Sequence, residues 1–187
     1  MTLQNQLQIF RPWNEQEEQD RAELLRQTAD SYGRENPGHW TASAWVVSPD
    51  RKQVLLAYHK LYDSWSWLGG HADGERDLLS TALREVREES GLEQVRPVSR
   101  EIYSLEILTV DGHEKRGQYV SSHLHWNVTF LLEASPAAPV RCKPDENSQV
   151  GWFGLEEAIA ASTEPWFQKR IYRKLNAKLA DFPPQVL

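Results

Sequence analysis

Cysteine, methionine, long apolar runs and clustered positive charge are all scarce in this chain of 187 residues. The single cysteine, Cys142, excludes an intrachain disulfide framework and points to a reducing cytoplasm. No stretch approaches the ~20 consecutive apolar residues of a membrane-spanning helix. The opening MTLQNQLQIFRPWNEQEEQD has neither the basic start nor the apolar centre of a secretion signal. With a net charge of −6 and no run of Lys or Arg, the chain offers no broad surface for a nucleic acid polymer. Internal repeats and low-complexity tracts are also missing. What is present, 40% hydrophobic residues over a length that seldom divides into two folding units, predicts one domain across residues 1–187.

Local signals place its elements. Asn14 and Glu17 have the spacing of a capping box, and Ala22, Leu24, Leu25 and Ala29 predict a helix over residues 15–30. Ser31 to His39, with Gly33, Asn36, Pro37 and Gly38, reads as a linker. Trp40–Val47 and Gln53–Tyr58 flank Ser48-Pro49-Asp50 and predict a hairpin. Further strands are expected over Ile102–Val110 and Tyr119–Leu132, joined around Asp111-Gly112, and over Gln149–Phe153. Two helices close the chain, over 154–161 and 164–180, the second with Ser162 or Thr163 as cap and Pro165 in its first turn. Strands on both sides of a central helix, with helices at the end, predict an α/β fold in which a mixed sheet packs between helices.

The central helix carries the chemistry. Gly69 to Leu92 reads GGHADGERDLLSTALREVREESGL, a Gly-Gly loop running into a helix with Glu85, Glu88 and Glu89 on one face. Leu78, Leu79, Ala82, Leu83 and Val86 form its apolar arc, and Glu85 and Glu89 each fall about 20° from Leu78 on the helical wheel, so both border the buried stripe. Like charges at these spacings weaken a helix by a few tenths of a kcal/mol per pair, and half-buried carboxylates need partners. The hexapeptide Arg84 to Glu89 alone reads as a solvated face with an ordinary Arg84–Glu88 pair. Beside a glycine loop the same carboxylates suit a hard divalent cation and phosphate chemistry.

Arg84-Glu85-Val86-Arg87-Glu88-Glu89-Ser90-Gly91-Leu92 matches the second half of the Nudix box, R-E-U-x-E-E-x-G-U with U aliphatic, and Gly70 stands at the box's opening glycine. The chain therefore resembles the Nudix (MutT-like) hydrolases. The resemblance runs from Trp40 to Phe153 in the order of its elements and implies a Nudix α/β/α sandwich, with a helical extension over 1–39, a core over 40–162 and a C-terminal helical segment over 163–187. It also implies cleavage of a pyrophosphate bond in a small nucleoside diphosphate derivative by metal-activated water, with Mg²⁺ or Mn²⁺ held by Glu85, Glu88, Glu89 and the Gly70 carbonyl. Arg84 would orient a glutamate, and the general base would be Glu85, Glu88 or a loop acid, Glu146. One box position departs from the pattern: the first glutamate is replaced by Arg76, and Glu75 or Asp77 is expected to take its place beside Arg84.

Residues outside the box are candidates for substrate binding. His71 follows Gly70 and can reach a phosphate. His123, His125 and Asn127 alternate along one strand and share a face, whereas a histidine metal centre is disfavoured because no third ligand has recognisable spacing. Trp65 and Trp67 precede Gly69, and an indole at Trp67 is large enough to hold a base. The terminal extensions would shape a pocket or support a homodimer. Two rival readings share the fold: an isopentenyl-diphosphate-isomerase-like enzyme, disfavoured because the early Cys-His-Pro context is absent, and a catalytically silent nucleotide-sensing module, disfavoured because all three box glutamates are present.

Overall fold

The computed structural model describes residues 1–27, 31–115 and 117–184. Its organising strand is β1 (Gly38–Val47), buried on both faces over nearly its whole length. Along one edge β1 runs parallel to β9 (His123–Ala134), with His39 opposite His125 and Val46 opposite Leu132. Its other edge is shared. Thr41–Ala44 pair antiparallel with β4 (Leu68–His71), and Val46–Val47 pair with β2 (Gln53–His59), so the hairpin partner and the glycine strand lie side by side.

β3 (Ser64–Ser66) and β10 (Asn147–Gly154) extend the sheet from β2, while β5 (Val95–Pro97) and β6 (Ser104–Val110) pair with β9, giving eight strands of mixed direction. A separate two-stranded ribbon, β7 (His113–Lys115) with β8 (Gln118–Val120), fills the connection from β6 to β9. The single strand expected from Tyr119 onward is thus two, broken between Val120 and His123.

Alternation assigns the two faces. Trp40, Ala42, Ala44 and Val46 of β1, with Trp126, Val128, Phe130 and Leu132 of β9, meet α3 (Leu78–Ser90) through Leu78, Leu79, Ala82 and Val86. The same core takes in Leu7 of α1 (Leu3–Ile9) and Leu24 of α2 (Glu15–Leu24). Trp45, Val47, Val54, Leu56 and Leu131 point the other way, onto α4 (Leu155–Ala161), a π-helical stretch Phe167–Tyr172, and α5 (Arg173–Lys178), which runs on into a 3-10 turn Leu179–Asp181. Helices cover both faces, as the order of strands and helices along the chain predicted. α2 ends before the expected boundary, and the expected helical positions 28–30, Ala29 among them, lie outside the described residues, as do 185–187 of the expected C-terminal segment. Among the described residues no helix is long and apolar enough to cross a membrane.

A buried ion cluster ties the two ends of the chain to the sheet. Glu17 of α2 meets Lys174 at 3.1 Å and Lys178 at 3.0 Å, and Lys174 also meets Glu106 of β6 at 2.8 Å. Ser104 donates to Glu17, and Asn127 donates to Glu106 while accepting from Thr41 and Ser43. Burial alone would push the Glu17 carboxyl up, but the ammonium groups of Lys174 and Lys178 outweigh it and hold the group below its ordinary range.

Candidate active site

The site is built where β4 runs into α3. Asp77 caps the helix by accepting from the Leu79 and Ser80 amides, and Gly91 ends it in the left-handed conformation at φ 70°. Between these stops the 3.6-residue period that buries Leu78, Ala82 and Val86 leaves Glu85 and Glu89 only 7% and 2% exposed. Both lie against the glycine strand. Glu89 accepts a hydrogen bond from the Gly69 amide at 3.0 Å. A side chain at Gly70 would place its Cβ 2.5 Å from the Glu85 carboxyl carbon, and one at Gly69 would sit 2.6 Å from the Ala42 carbonyl. Only glycine lets strand, helix and carboxylates approach this closely.

Burial pushes the Glu85 carboxyl up, with Glu88 and Glu146 adding repulsion that Arg84 and Lys143 offset in part. Glu89 is pushed well above the ordinary range, again chiefly by burial and despite the Gly69 amide. The more exposed Glu88 reaches Arg84 at 3.5 Å and Lys143 at 3.2 Å. Glu146 joins the group through Lys143, at 3.0 Å. The turn that carries both is pinned to the glutamate helix: Asn147 accepts from the Lys143 amide and donates to the Glu89 carbonyl at 3.0 Å. The structure thus brings together Glu85, Glu88, Glu89, Gly70, Arg84 and Glu146, all named from the sequence. Lys143 and His59 were missed. His59 stands 3.9 Å from Glu89 at the end of β2, and burial pushes its pKa down. Strand pairing, which brings Asn147 opposite His59, would have been needed to place it.

Three expectations change. Arg84 recruits neither Glu75 nor Asp77: Glu75 accepts from the Asp77 amide, Asp77 caps the helix, and Arg84 instead pairs with Glu85 at 2.7 Å and donates to the His71 carbonyl at 3.2 Å. Arg76, at the missing glutamate's position, lies over the Tyr32 ring. Trp67 is no pocket wall. It is 7% exposed and packs edge-on against Phe167 and Tyr172, on the sheet face away from α3. Within β4, Leu68 joins the core on the α3 side and Gly70 lies against Glu85, so alternation turns His71 the other way.

There His71 meets His123 and His125, as their shared face allowed, and also His39 of β1. Ring centroids lie 4.8 Å apart for His71 and His125, and 5.1 Å apart for His39 and His123. Burial drives the His71 pKa down to about 2 and that of His125 to about 3, with the Arg34 guanidinium contributing in both cases. Asn127, next on this face, is locked into the Glu106 network. The sequence reading that found no third histidine lacked the β1–β9 register and the β4 pairing, which supply His39 and His71.

Oxygen donors, burial and a glycine cradle fit a hard divalent cation: the carboxylates of Glu85, Glu88 and Glu89 lie along one helix face beside Gly70, and the repulsion that Glu85 feels from Glu88, and Glu89 from Glu85, is what such an ion would relieve.

A mouse (Mus musculus) protein, bis(5'-nucleosyl)-tetraphosphatase [asymmetrical], is 32% identical over 96 residues, covering 50% of this chain and 58% of its own length. The match therefore spans little more than half of that relative. Among solved structures, a C. elegans Ap4A hydrolase binary complex superposes with a TM-score of 0.53 at 21% identity, over 76% of this chain and 98% of that one. A Nudix hydrolase from M. smegmatis superposes with a TM-score of 0.55 at 17% identity, over 80% and 90%. At these identities the structures speak for the fold alone. The sequence profile of the NUDIX domain matches residues 37–175, which take in the sheet, the glutamate helix, the Lys143 turn and the first half of α5, and the chain belongs to that family.

Proposed function

We propose that the chain hydrolyses a pyrophosphate bond in a small nucleotide derivative with the help of Mg²⁺ or Mn²⁺. The observation that carries the reading is the pair of buried glutamates, Glu85 and Glu89, held above their ordinary pKa range against a glycine cradle. Arg84 offsets only part of the cost at Glu85, and among the described residues Glu89 has no cationic partner closer than His59 at 3.9 Å, so ionising both carboxyls in this site is unfavourable until further positive charge is supplied. Glu85, Glu88, Glu89 and the Gly70 carbonyl would hold the cation, which when bound neutralises phosphate oxygens and lowers the pKa of water.

The protein's own groups do the rest. Arg84 pins the Glu85 and Glu88 carboxylates while its second nitrogen fixes the peptide at His71, so loop and helix keep one geometry. Glu146 is half-exposed on a turn tied to the helix, and its Oε atoms can take the proton of an attacking water. Lys143, between Glu88 and Glu146, places a positive charge beside the site where it would face the phosphate oxygens. No covalent nucleophile is required. The mouse relative's name, a tetraphosphatase of bis(5'-nucleosyl) compounds, supports a nucleotide polyphosphate, and the net charge of −6 argues against a polymer.

The test is turnover on a panel of dinucleoside polyphosphates, nucleoside triphosphates and nucleotide sugars, each with Mg²⁺, Mn²⁺ or excess chelator. Cleavage that requires the cation is the expected result. Full activity in chelator would remove the glutamates from the chemistry, and no cleavage of any compound would favour a silent binding module.

A further inference from the structure

The chain contains six histidines, and four of them converge on the sheet face opposite the glutamates. We propose that His39, His71, His123 and His125 form a second, separate metal site that takes one borderline transition-metal ion of the zinc class. One ligand comes from β1, one from β4 and two from alternate positions of β9, and the four donor atoms all lie within 4.8 Å of one another. Nε2 of His123 and Nε2 of His125 are 3.2 Å apart. Ligands of a tetrahedral Zn²⁺, each bonded at about 2.0–2.1 Å, stand about 3.4 Å from one another, so this pair is already spaced for the ion.

The hydrogen bonds around the rings point the same way. His39 Nδ1 lies 3.0 Å from the Asn36 carbonyl, and a carbonyl only accepts, so Nδ1 carries the proton and Nε2 is left as a lone pair. That Nε2 is buried in a residue 3% exposed and has no hydrogen-bond partner. An orphaned acceptor of this kind is costly unless something coordinates it. His123 repeats the pattern: Nδ1 donates to the Ser121 carbonyl at 2.8 Å, leaving the Nε2 lone pair facing His125. A ring nitrogen tied to a backbone carbonyl is how proteins orient a metal-ligating histidine.

All-imidazole ligation selects zinc, copper, nickel or cobalt over Mg²⁺, which keeps this site distinct from the oxygen cluster on α3. Four protein ligands close a tetrahedral shell, so the ion would act as a clamp. It would fix β1, β4 and β9 together beside Gly70 and leave no open position for a substrate.

The test uses the full chain, stripped with chelator and titrated with Zn²⁺ or with Co²⁺ as a spectroscopic probe. The expected result is one Zn²⁺ per chain, retained against excess Mg²⁺, with X-ray absorption showing nitrogen-only ligation and the Co²⁺ form giving intense tetrahedral visible bands. These readouts need no variant and no substrate, so they stand or fall independently of the hydrolase reading. A Glu85→Gln, Glu88→Gln, Glu89→Gln triple variant should keep the ion, whereas His123→Ala with His125→Ala should weaken Zn²⁺ by at least about a hundredfold. Binding that is lost in the glutamate variant, oxygen-dominated ligation, or no uptake by the wild-type chain below millimolar Zn²⁺ would overturn the proposal.

Discussion

Glu17 and Glu89 are sealed from solvent to nearly the same degree, at 0% and 2% exposure, and lie in the same fold. Their surroundings drive them in opposite directions. Glu17 is flanked by two lysine ammonium groups and accepts from Ser104, so its charge is welcome and its pKa lies low. Glu89 has only the Gly69 amide and His59 at 3.9 Å to set against its burial, and Glu85 and Glu146 add repulsion, so its pKa lies high. One carboxylate holds the molecule together, whereas the other is kept at the molecule's expense. Burial alone does not distinguish a structural acid from a functional one; the charges facing it do.

The comparison can be broken most forcefully at Glu89. Glu89→Gln keeps the acceptor toward the Gly69 amide and removes only the charge, so kcat/KM should fall by at least about a hundredfold, the loss of several kcal/mol of charge stabilisation. In the cation-free protein at pH 7 the same change should not lower the denaturation midpoint, and a rise is expected. A clear loss of stability would make Glu89 a second Glu17.

Glu17→Gln should do the reverse. Lys178 would lose the carboxylate 3.0 Å away, and an uncompensated buried charge costs about 3–5 kcal/mol, while kcat should stay near that of the parent. Unfolding midpoints measured against pH sharpen the contrast. A carboxyl lowered in the folded state, as Glu17 is, contributes stability above its ordinary value of 4.5 that is lost as the pH falls below it. A carboxyl raised in the folded state, as Glu89 is, favours folding at low pH and loses that contribution as the pH climbs through its folded pKa, above 4.5. Glu17→Gln should therefore flatten the acid limb of the cation-free curve, and Glu89→Gln the limb toward neutrality.

The smallest expected effect is at Glu75. Because Arg84 is held by Glu85 and the His71 carbonyl, Glu75→Ala should change stability by no more than about 0.5 kcal/mol and leave kcat unchanged. A tenfold loss of activity would restore Glu75 as the surrogate for the missing box glutamate.

The glutamates of α3 were legible in the sequence because a helix face is a local property: Glu85, Glu88 and Glu89 fall within two turns, and the apolar period fixes which side they take. Glu146 was legible only as a loop acid, since the bond from Asn147 to the Glu89 carbonyl that brings its turn in spans 58 residues. The four-histidine cluster was not legible, because it depends on parallel pairing that sets His39 opposite His125, and a parallel register leaves no mark in either strand. Trp67 shows a different failure. Nearness to Gly69 along the chain suggested nearness to the site, while packing sent its indole to the far face. The Glu17 cluster escaped notice because its charges are far apart along the chain: Glu17 meets Lys174 and Lys178 from the opposite end of the polypeptide, and Glu106 joins them from its middle.

That last arrangement governs how the protein can be made. Glu17 leaves the ribosome early, but Lys178 follows 161 residues later. Throughout most of synthesis the nascent chain therefore carries a carboxylate destined for burial with no counter-ion yet in existence. Trp45 and Leu56 likewise wait for Ile171, Tyr172 and Leu175 to cover them. The sheet cannot be sealed segment by segment as it emerges, and completion is deferred until α5 is released. A premature stop upstream of Lys174 would on this account be a folding lesion even though every residue of the glutamate site had been translated.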